Sequence, residues 1–196
     1  MWYRKNYFLW LFAAIFSILC SWMLFAWTYS FNTAEAKSEI EDAVKDLIKK
    51  QVEYVDVLEE EVVEKDNRAL WTTTLHQTTD FLVNIVQSDS LVFWNNNVLP
   101  VEELVHRVDS QSKSQVVRLS NGYYLVSRDQ KYDLNLYVST KLQHDYYFEN
   151  DDLQNKLTKW VDIQRSTEFS LQPKQDYQPI RYGGKELFYV KFDEKA

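Results

Sequence analysis

The chain has 196 residues, 45% of them apolar, so it has room for one domain of ordinary size but not for two large ones. From Ser30 onward, 20 basic residues stand against 29 acidic ones, a net charge of −9. This balance argues against nucleic-acid binding, because phosphate recognition requires a basic surface. There are three glycines and three prolines, none before Pro100, so the glycine-rich loops that bind dinucleotides and phosphates are excluded.

An uncharged run of 23 residues from Tyr7 to Tyr29 predicts a transmembrane helix, because about 20 apolar residues cross a hydrocarbon core of about 30 Å. Arg4 and Lys5 precede the run and acidic residues follow it. The positive-inside rule therefore predicts that residues 1–6 are cytoplasmic and that the rest of the chain is exported. A cleaved signal peptide is the alternative, since Ala34-Glu35-Ala36 resembles a cleavage site, but the run is longer than the apolar region of a signal peptide.

Apolar residues recur at helical spacing after this run and predict a stalk helix over residues 30–66. No glycine or proline obliges a break, so a continuous rod of about 60 residues is expected, on the order of 90 Å long. Gln51 and Glu61 interrupt the apolar stripe. Packing of the stripe on its own domain and a dimeric stalk both remain open. The stripe consists of Ile40, Val44, Leu47, Ile48, Val55, Leu58 and Val62.

The remaining residues, 67–196, alternate between strand-forming runs and turn residues. Pro100 opens a short helix, and a second helix with Asn150 as its N-cap is predicted over residues 150–164. The predicted strands lie at 81–87, 91–95, 115–119, 123–128, 133–140, 177–182 and 185–192. This succession of hairpins and helices predicts an α+β fold, with an antiparallel sheet and helices packed on it.

Few residues indicate a catalytic, metal or cofactor site. His76, His106 and His144 are widely separated and Cys20 lies in the apolar run, so neither a metal nor another cofactor is predicted. No nucleophile elbow marks a hydrolase. The acidic run 59–61 is interpreted as a solvated helix face, because consecutive residues on a helix point in different directions. The chain is therefore predicted not to be an enzyme.

Four strings occur in an order that resembles a known family. They are Asp89-Ser90-Leu91-Val92-Phe93-Trp94, Ser120-Asn121-Gly122-Tyr123-Tyr124-Leu125-Val126, Tyr147-Phe148-Glu149-Asn150 and Gly184 with Leu187-Phe188. Together they resemble the N-terminal extracytoplasmic sensor region of bacterial two-component membrane sensor histidine kinases, over about residues 80–192. Tyr123-Tyr124 stands where Trp-Tyr is expected.

This resemblance implies a PAS-like sensor domain in a homodimer of the bacterial inner membrane, with residues 30–196 periplasmic and the signal passed to a kinase. The parts of a kinase that bind ATP and accept phosphate are absent from this chain. The stimulus, a small molecule or a protein, is not identified. Trp94, Tyr123 and Tyr124 are the candidate ligand-binding residues, with core packing as the alternative for each. The alternative function is a single-span, membrane-anchored periplasmic binding or scaffold protein without a kinase.

Overall fold

A computed structural model describes residues 3–64, 81–148, 150, 158 and 167–192, and within the first helix it describes side chains at 13–24 and 33–60. The described chain forms two helices and eight strands. The helices are α1 (Tyr3–Glu64) and α2 (Val101–Arg107), and the strands are β1 (Leu82–Gln87), β2 (Ser90–Trp94), β3 (Ser114–Leu119), β4 (Gly122–Lys131), β5 (Leu134–His144), β6 (Thr167–Ser170), β7 (Gln178–Tyr182) and β8 (Lys185–Phe192).

Two antiparallel sheets make up the body of the molecule. The first sheet has the strand order β2-β1-β5-β4-β3, and the second has the order β6-β8-β7. Each neighbouring pair in the first sheet except β1–β5 is joined by a short hairpin connection, as the turn residues between the strands favour. The β1–β2 turn places Ser88 and Asp89 at φ values of 47° and 66°, the left-handed region that short polar side chains tolerate best.

The helix α1 runs for 62 residues without a break and packs on both sheets through one apolar stripe. The N-terminal part of the described stripe packs on the second sheet and on Leu125 and Leu142 of the first sheet. The C-terminal part packs on the first sheet. The stripe residues in the first contact are Ala36, Ile40, Val44, Leu47 and Ile48, and those in the second are Val55 and Leu58. The stripe thus packs on its own chain, which was one of the two alternatives.

The first sheet is buried on both faces. Side chains alternate along each strand, so Ile85 and Leu136 meet α1, whereas Val86 and Tyr137 meet Leu104 of α2. We call these surfaces the α1 face and the α2 face of the first sheet. The two faces belong to the same strands, so residues of the α1 face and of the α2 face share one backbone.

Among the residues that the structure describes, no helix is long and apolar enough to cross a membrane. This finding contradicts the predicted transmembrane helix over residues 7–29. It also contradicts the fold class that began with that helix, and the localisation in the inner membrane with residues 30–196 in the periplasm. A crossing requires about 20 consecutive apolar residues within one helix.

In the C-terminal part, one predicted element is not tested by the structure, and one observed strand was not predicted. The helix predicted over residues 150–164 lies outside the described residues, apart from Asn150 and Thr158. Strand β6 was not predicted, because its four residues show no alternation of apolar and polar side chains. Its place in the structure depends on pairing with β8, which also pairs with β7.

Candidate ligand site

A cavity of about 810 Å³ lies between the β1–β2 hairpin and α2, on the α2 face of the first sheet. Its volume is in the range of small-molecule sites. The apolar residues that line it come from both sides, and charged or titratable residues complete the lining. The apolar set is Val86, Leu91, Pro100, Val101 and Val105, and the other set is Asp89, Glu102, Glu103 and His106.

Local structure explains why this cavity forms. A register shift in the β1–β2 ladder between Ile85 and Val86 places Leu91 opposite Val86. The helix α2 follows Pro100, whose lack of an amide N–H is harmless at a helix start. Leu104 is fully buried and packs α2 against the first sheet. The short helix therefore forms one side of the cavity.

Within the described structure, two buried polar side chains on the α2 face of the first sheet have no hydrogen-bond partner. Asn84 is 1% exposed and leaves both Nδ2 and Oδ1 unpaired, and the hydroxyl of Ser139 is also unpaired. Asn84 lies opposite Tyr137, and Ser139 lies opposite Leu82, so both point to the α2 face. Native interiors leave few such groups unsatisfied, so each one calls for an explanation.

Tyr137 lies between charges of opposite sign. Burial raises the pKa of its phenol, the nearby guanidinium of Arg128 opposes this rise, and the carboxylate of Asp89 adds to it. The guanidinium carbon of Arg128 is 6.0 Å from the centre of the Tyr137 ring. Nη2 of Arg128 donates to Asn135 Oδ1 at 2.6 Å, while its buried Nε has no hydrogen-bond partner among the described residues. The α2 face therefore offers a positive group as well as the acidic groups at the cavity.

The candidate residues Trp94, Tyr123 and Tyr124 are not brought together as one site. Trp94 is 47% exposed, lies opposite Asn84 on β2, and donates from Nε1 to Asn97 Oδ1 at 2.7 Å. The lining residues described for the cavity include none of the three.

The two tyrosines point to opposite faces of the first sheet. Tyr124 is fully buried on the α2 face, donates to Asn121 Oδ1 at 2.9 Å, and has its pKa raised to about 12 by burial. Tyr123 lies on the α1 face, where its ring centre is 4.4 Å from that of Phe169. Core packing, the alternative noted from the sequence, describes the surroundings of both rings.

The sequence pattern does not identify Asn84 as a candidate site residue. Asn84 lies within the apolar strand sequence Leu-Val-Asn-Ile-Val, which indicates a strand and nothing more. A polar side chain in a strand that is buried on both faces is the signal that identifies it, but the double burial follows from tertiary structure.

On the α1 face, a buried amide connects the helix to the sheet. Gln51 is fully buried, and its Nε2 donates to Thr140 Oγ1 at 2.9 Å and to the carbonyl oxygen of Leu125 at 3.3 Å. Ser127 Oγ donates to Gln51 Oε1 at 2.9 Å and also lies 2.9 Å from Ser114 Oγ. We call these residues the Gln51 network. It connects α1 with β4 and β5 directly and with β3 through Ser114.

Three carboxylates approach one another where α1 meets the β4–β5 hairpin. The oxygens of Asp56, Glu59 and Asp129 lie within 4.8 Å of one another. Lys131 forms an ion pair with Glu59, and this contact raises the pKa of Lys131. The lysine already balances part of the negative charge, so the cluster by itself does not indicate a cation site.

No protein-family model, curated protein or solved structure matches this chain. The resemblance to kinase sensor regions therefore remains a prediction from the sequence.

Proposed function

We propose that the chain is a ligand-sensing input module, in which a small molecule bound in the cavity on the α2 face changes how the first sheet holds α1. The observation that carries this proposal is the Gln51 network. It attaches the helix, through buried hydrogen bonds, to the strands β4 and β5. Those strands carry Tyr124, Val126 and Tyr137 on their other face, in the same apolar cluster as the cavity residue Val86.

The proposed coupling follows from close packing. A ligand that shifts β4 or β5 must move the partners of Gln51, and leaving a buried amide unpaired costs about 1–3 kcal/mol. The network therefore favours discrete arrangements of helix and sheet over gradual deformation. A ligand that binds one arrangement better shifts the population toward it. The 62-residue helix α1 would transmit this change of arrangement to parts of the chain beyond the sheet.

The receiver of the signal is proposed to be a histidine kinase, acting in a homodimer. The order of the four strings that resemble kinase sensor regions supports this part of the proposal. The native gene sequence beyond codon 196 tests it. We expect a phospho-accepting histidine on a dimerisation helix and a glycine-rich ATP lid. If neither follows, the kinase is ruled out as part of the same polypeptide, and the sensing proposal is tested separately.

The sensing proposal is tested with the full chain and a fragment library that contains neutral, anionic and cationic members. Ligand-observed NMR identifies binders, and hydrogen–deuterium exchange then follows the amides of α1 between residues 44 and 58. We expect cavity binders to change exchange in this segment by at least threefold. The same binders should lose this effect in Gln51→Leu while still binding. Ser127→Ala is a milder second variant that removes one bond of the network.

A matched control is Val57→Ala, which changes a half-exposed residue of the same helix. It should preserve both binding and the exchange response. The proposal is wrong if no fragment binds at the cavity, or if binders leave exchange in α1 unchanged in the wild-type chain.

A further inference from the structure

We infer that the sensed ligand carries an uncharged group with a hydrogen-bond donor and an acceptor side by side, such as a carboxamide or a lactam, and that Asn84 binds this group. The inference rests on the proposed function, since it names the class of ligand that the cavity takes.

The position of Asn84 connects it to the cavity. Asn84 and Val86 are two residues apart on β1, so their side chains leave the same face of the strand. Val86 lines the cavity, and Trp94 and Tyr137 flank Asn84 on the two neighbouring strands. The Asn84 side chain is therefore next to Val86 on the α2 face but behind the lining of the cavity, where it is only 1% exposed. A ligand group reaches it by moving between the lining side chains.

The two unpaired atoms of the Asn84 side chain define which hydrogen-bonding group of a ligand would match them. Nδ2 needs an acceptor and Oδ1 needs a donor, and neither has one within the described structure. A primary amide or a lactam presents both in one plane and closes two hydrogen bonds with an asparagine side chain. A carboxylate has no donor and would face Oδ1 with negative charge. An ammonium group has no acceptor and leaves Nδ2 unpaired.

The surroundings favour a neutral polar group on an apolar body. Val86, Val126 and Leu104 belong to the buried cluster around this position. Arg128 lies on β4, separated from Asn84 by β5, and Asp89 lies in the β1–β2 turn. An ion placed at Asn84 would lose its hydration without a directly adjacent counter-charge, which is costly. Ser139, on the same face, supplies one further hydroxyl for the same group.

Three probes of matched size test the inference on the full chain: valeramide, valerate and pentylamine. We expect valeramide to bind at least tenfold more tightly than either ionic probe, measured by ligand-observed NMR titration at one pH and salt concentration. Dissociation constants in the millimolar range are expected for molecules this small.

Two variants locate the binding. Asn84→Leu should weaken valeramide binding at least tenfold without lowering the melting temperature, because it replaces an unpaired buried amide by an apolar group of similar volume. Ser139→Ala should weaken binding by a smaller factor. Gln175→Ala, which removes an exposed amide just before β7 in the second sheet, should leave valeramide binding unchanged.

The outcomes separate this inference from the proposed function. If other fragments bind at the cavity but valeramide does not, or if valeramide binds Asn84→Leu as well as the wild type, the inference is overturned and the sensing proposal stands. If no probe binds and Asn84→Leu also lowers the melting temperature, ordered water is the partner of Asn84 and the inference is overturned. If no fragment of any class binds at the cavity, both fail.

Discussion

Gln51 shows how much one buried side chain changes the interpretation of a helix. In the sequence it interrupts an apolar stripe and weakens the case for a regular dimer seam. In the structure it is fully buried and bonds to residues 74 to 89 positions away along the chain. Its role follows from these distant partners, which no local pattern reveals.

At Gly122, a residue-scale prediction concerns backbone conformation. Its φ is +151°, and an added Cβ would lie 2.4 Å from the carbonyl oxygen of Gln143. Gly122→Ala should therefore lower the free energy of unfolding by more than about 2 kcal/mol, measured by urea denaturation. Gly183→Asn is the matched control, since Gly183 has φ +57° and open space around it, which asparagine tolerates. Equal losses in the two variants would contradict this account.

Protonation of His144 should make the stability of the protein depend on pH. Burial and the nearby ammonium group of Lys141, whose Nζ is 3.5 Å from Nδ1, hold the pKa of His144 below its usual value of 6.5. The unfolded chain therefore binds the proton more readily than the folded chain. Stability should be complete above pH 6.5 and should fall as the pH drops through the folded-state pKa.

Thermal unfolding between pH 7.5 and 5 checks this expectation. His144→Asn should reduce the loss of stability on acidification. Lys141→Met removes the neighbouring positive charge, so it should raise the pKa of His144. The pH range over which stability is lost should then become narrower. A wild-type melting temperature that falls no more than that of His144→Asn would be inconsistent with the proposed cause.

At the scale of elements, α1 is held by the side of the helix that the periodic pattern identified. Leu58 is 1% exposed and packs on the first sheet, whereas its neighbour Val57 is 50% exposed. The apolar spacing predicted which residues face inward. It did not predict that one stripe would serve two sheets, because this depends on where β7 and β8 return along the helix.

Because Leu58 is buried and Val57 is half-exposed, their substitution should have different effects on the free energy of unfolding. Leu58→Ala should lower the free energy of unfolding by about 2–5 kcal/mol, since it removes a large apolar group from a closed core. Val57→Ala should change it by no more than about 0.5 kcal/mol. Urea denaturation followed by far-UV circular dichroism measures both. A similar loss in the two variants would show that α1 does not pack on the sheet through this stripe.

At the scale of the whole molecule, α1 and two strands of the first sheet unite the two sheets in one core. Phe188 and Val190 of β8 share a buried cluster with Ile40 and Val44 of the helix and with Leu125 of β4. An additional hydrogen bond joins the Arg181 amide to Glu41 Oε1 at 3.2 Å. The sheets therefore should not unfold independently.

Phe188→Ala tests this cooperation. Hydrogen–deuterium exchange should become faster by similar factors in β8 and in β5, although β5 belongs to the other sheet, because both depend on the shared core. Tyr182→Ala is the control, since Tyr182 lies in the exposed end of β7. Faster exchange confined to β6, β7 and β8 would mean that the second sheet opens on its own.

Most local elements could be predicted from the sequence alone. Apolar spacing predicted the inward stripe of α1, and each end of the seven predicted strands lies at most four residues from the end of the observed strand. Such features depend on neighbours along the chain, which a sequence displays directly. The apolar run over residues 7–29 shows the limit, because composition predicted a membrane crossing that the described helix does not support.

Only the tertiary structure decided which faces meet. It separated Tyr123 from Tyr124, opened a cavity beside α2, left the amide of Asn84 unpaired and enclosed Gln51 in hydrogen bonds. These features arise where residues far apart in the chain come into contact. Their energies depend on burial and on partners, and neither quantity is contained in the spacing of residues along one strand or helix.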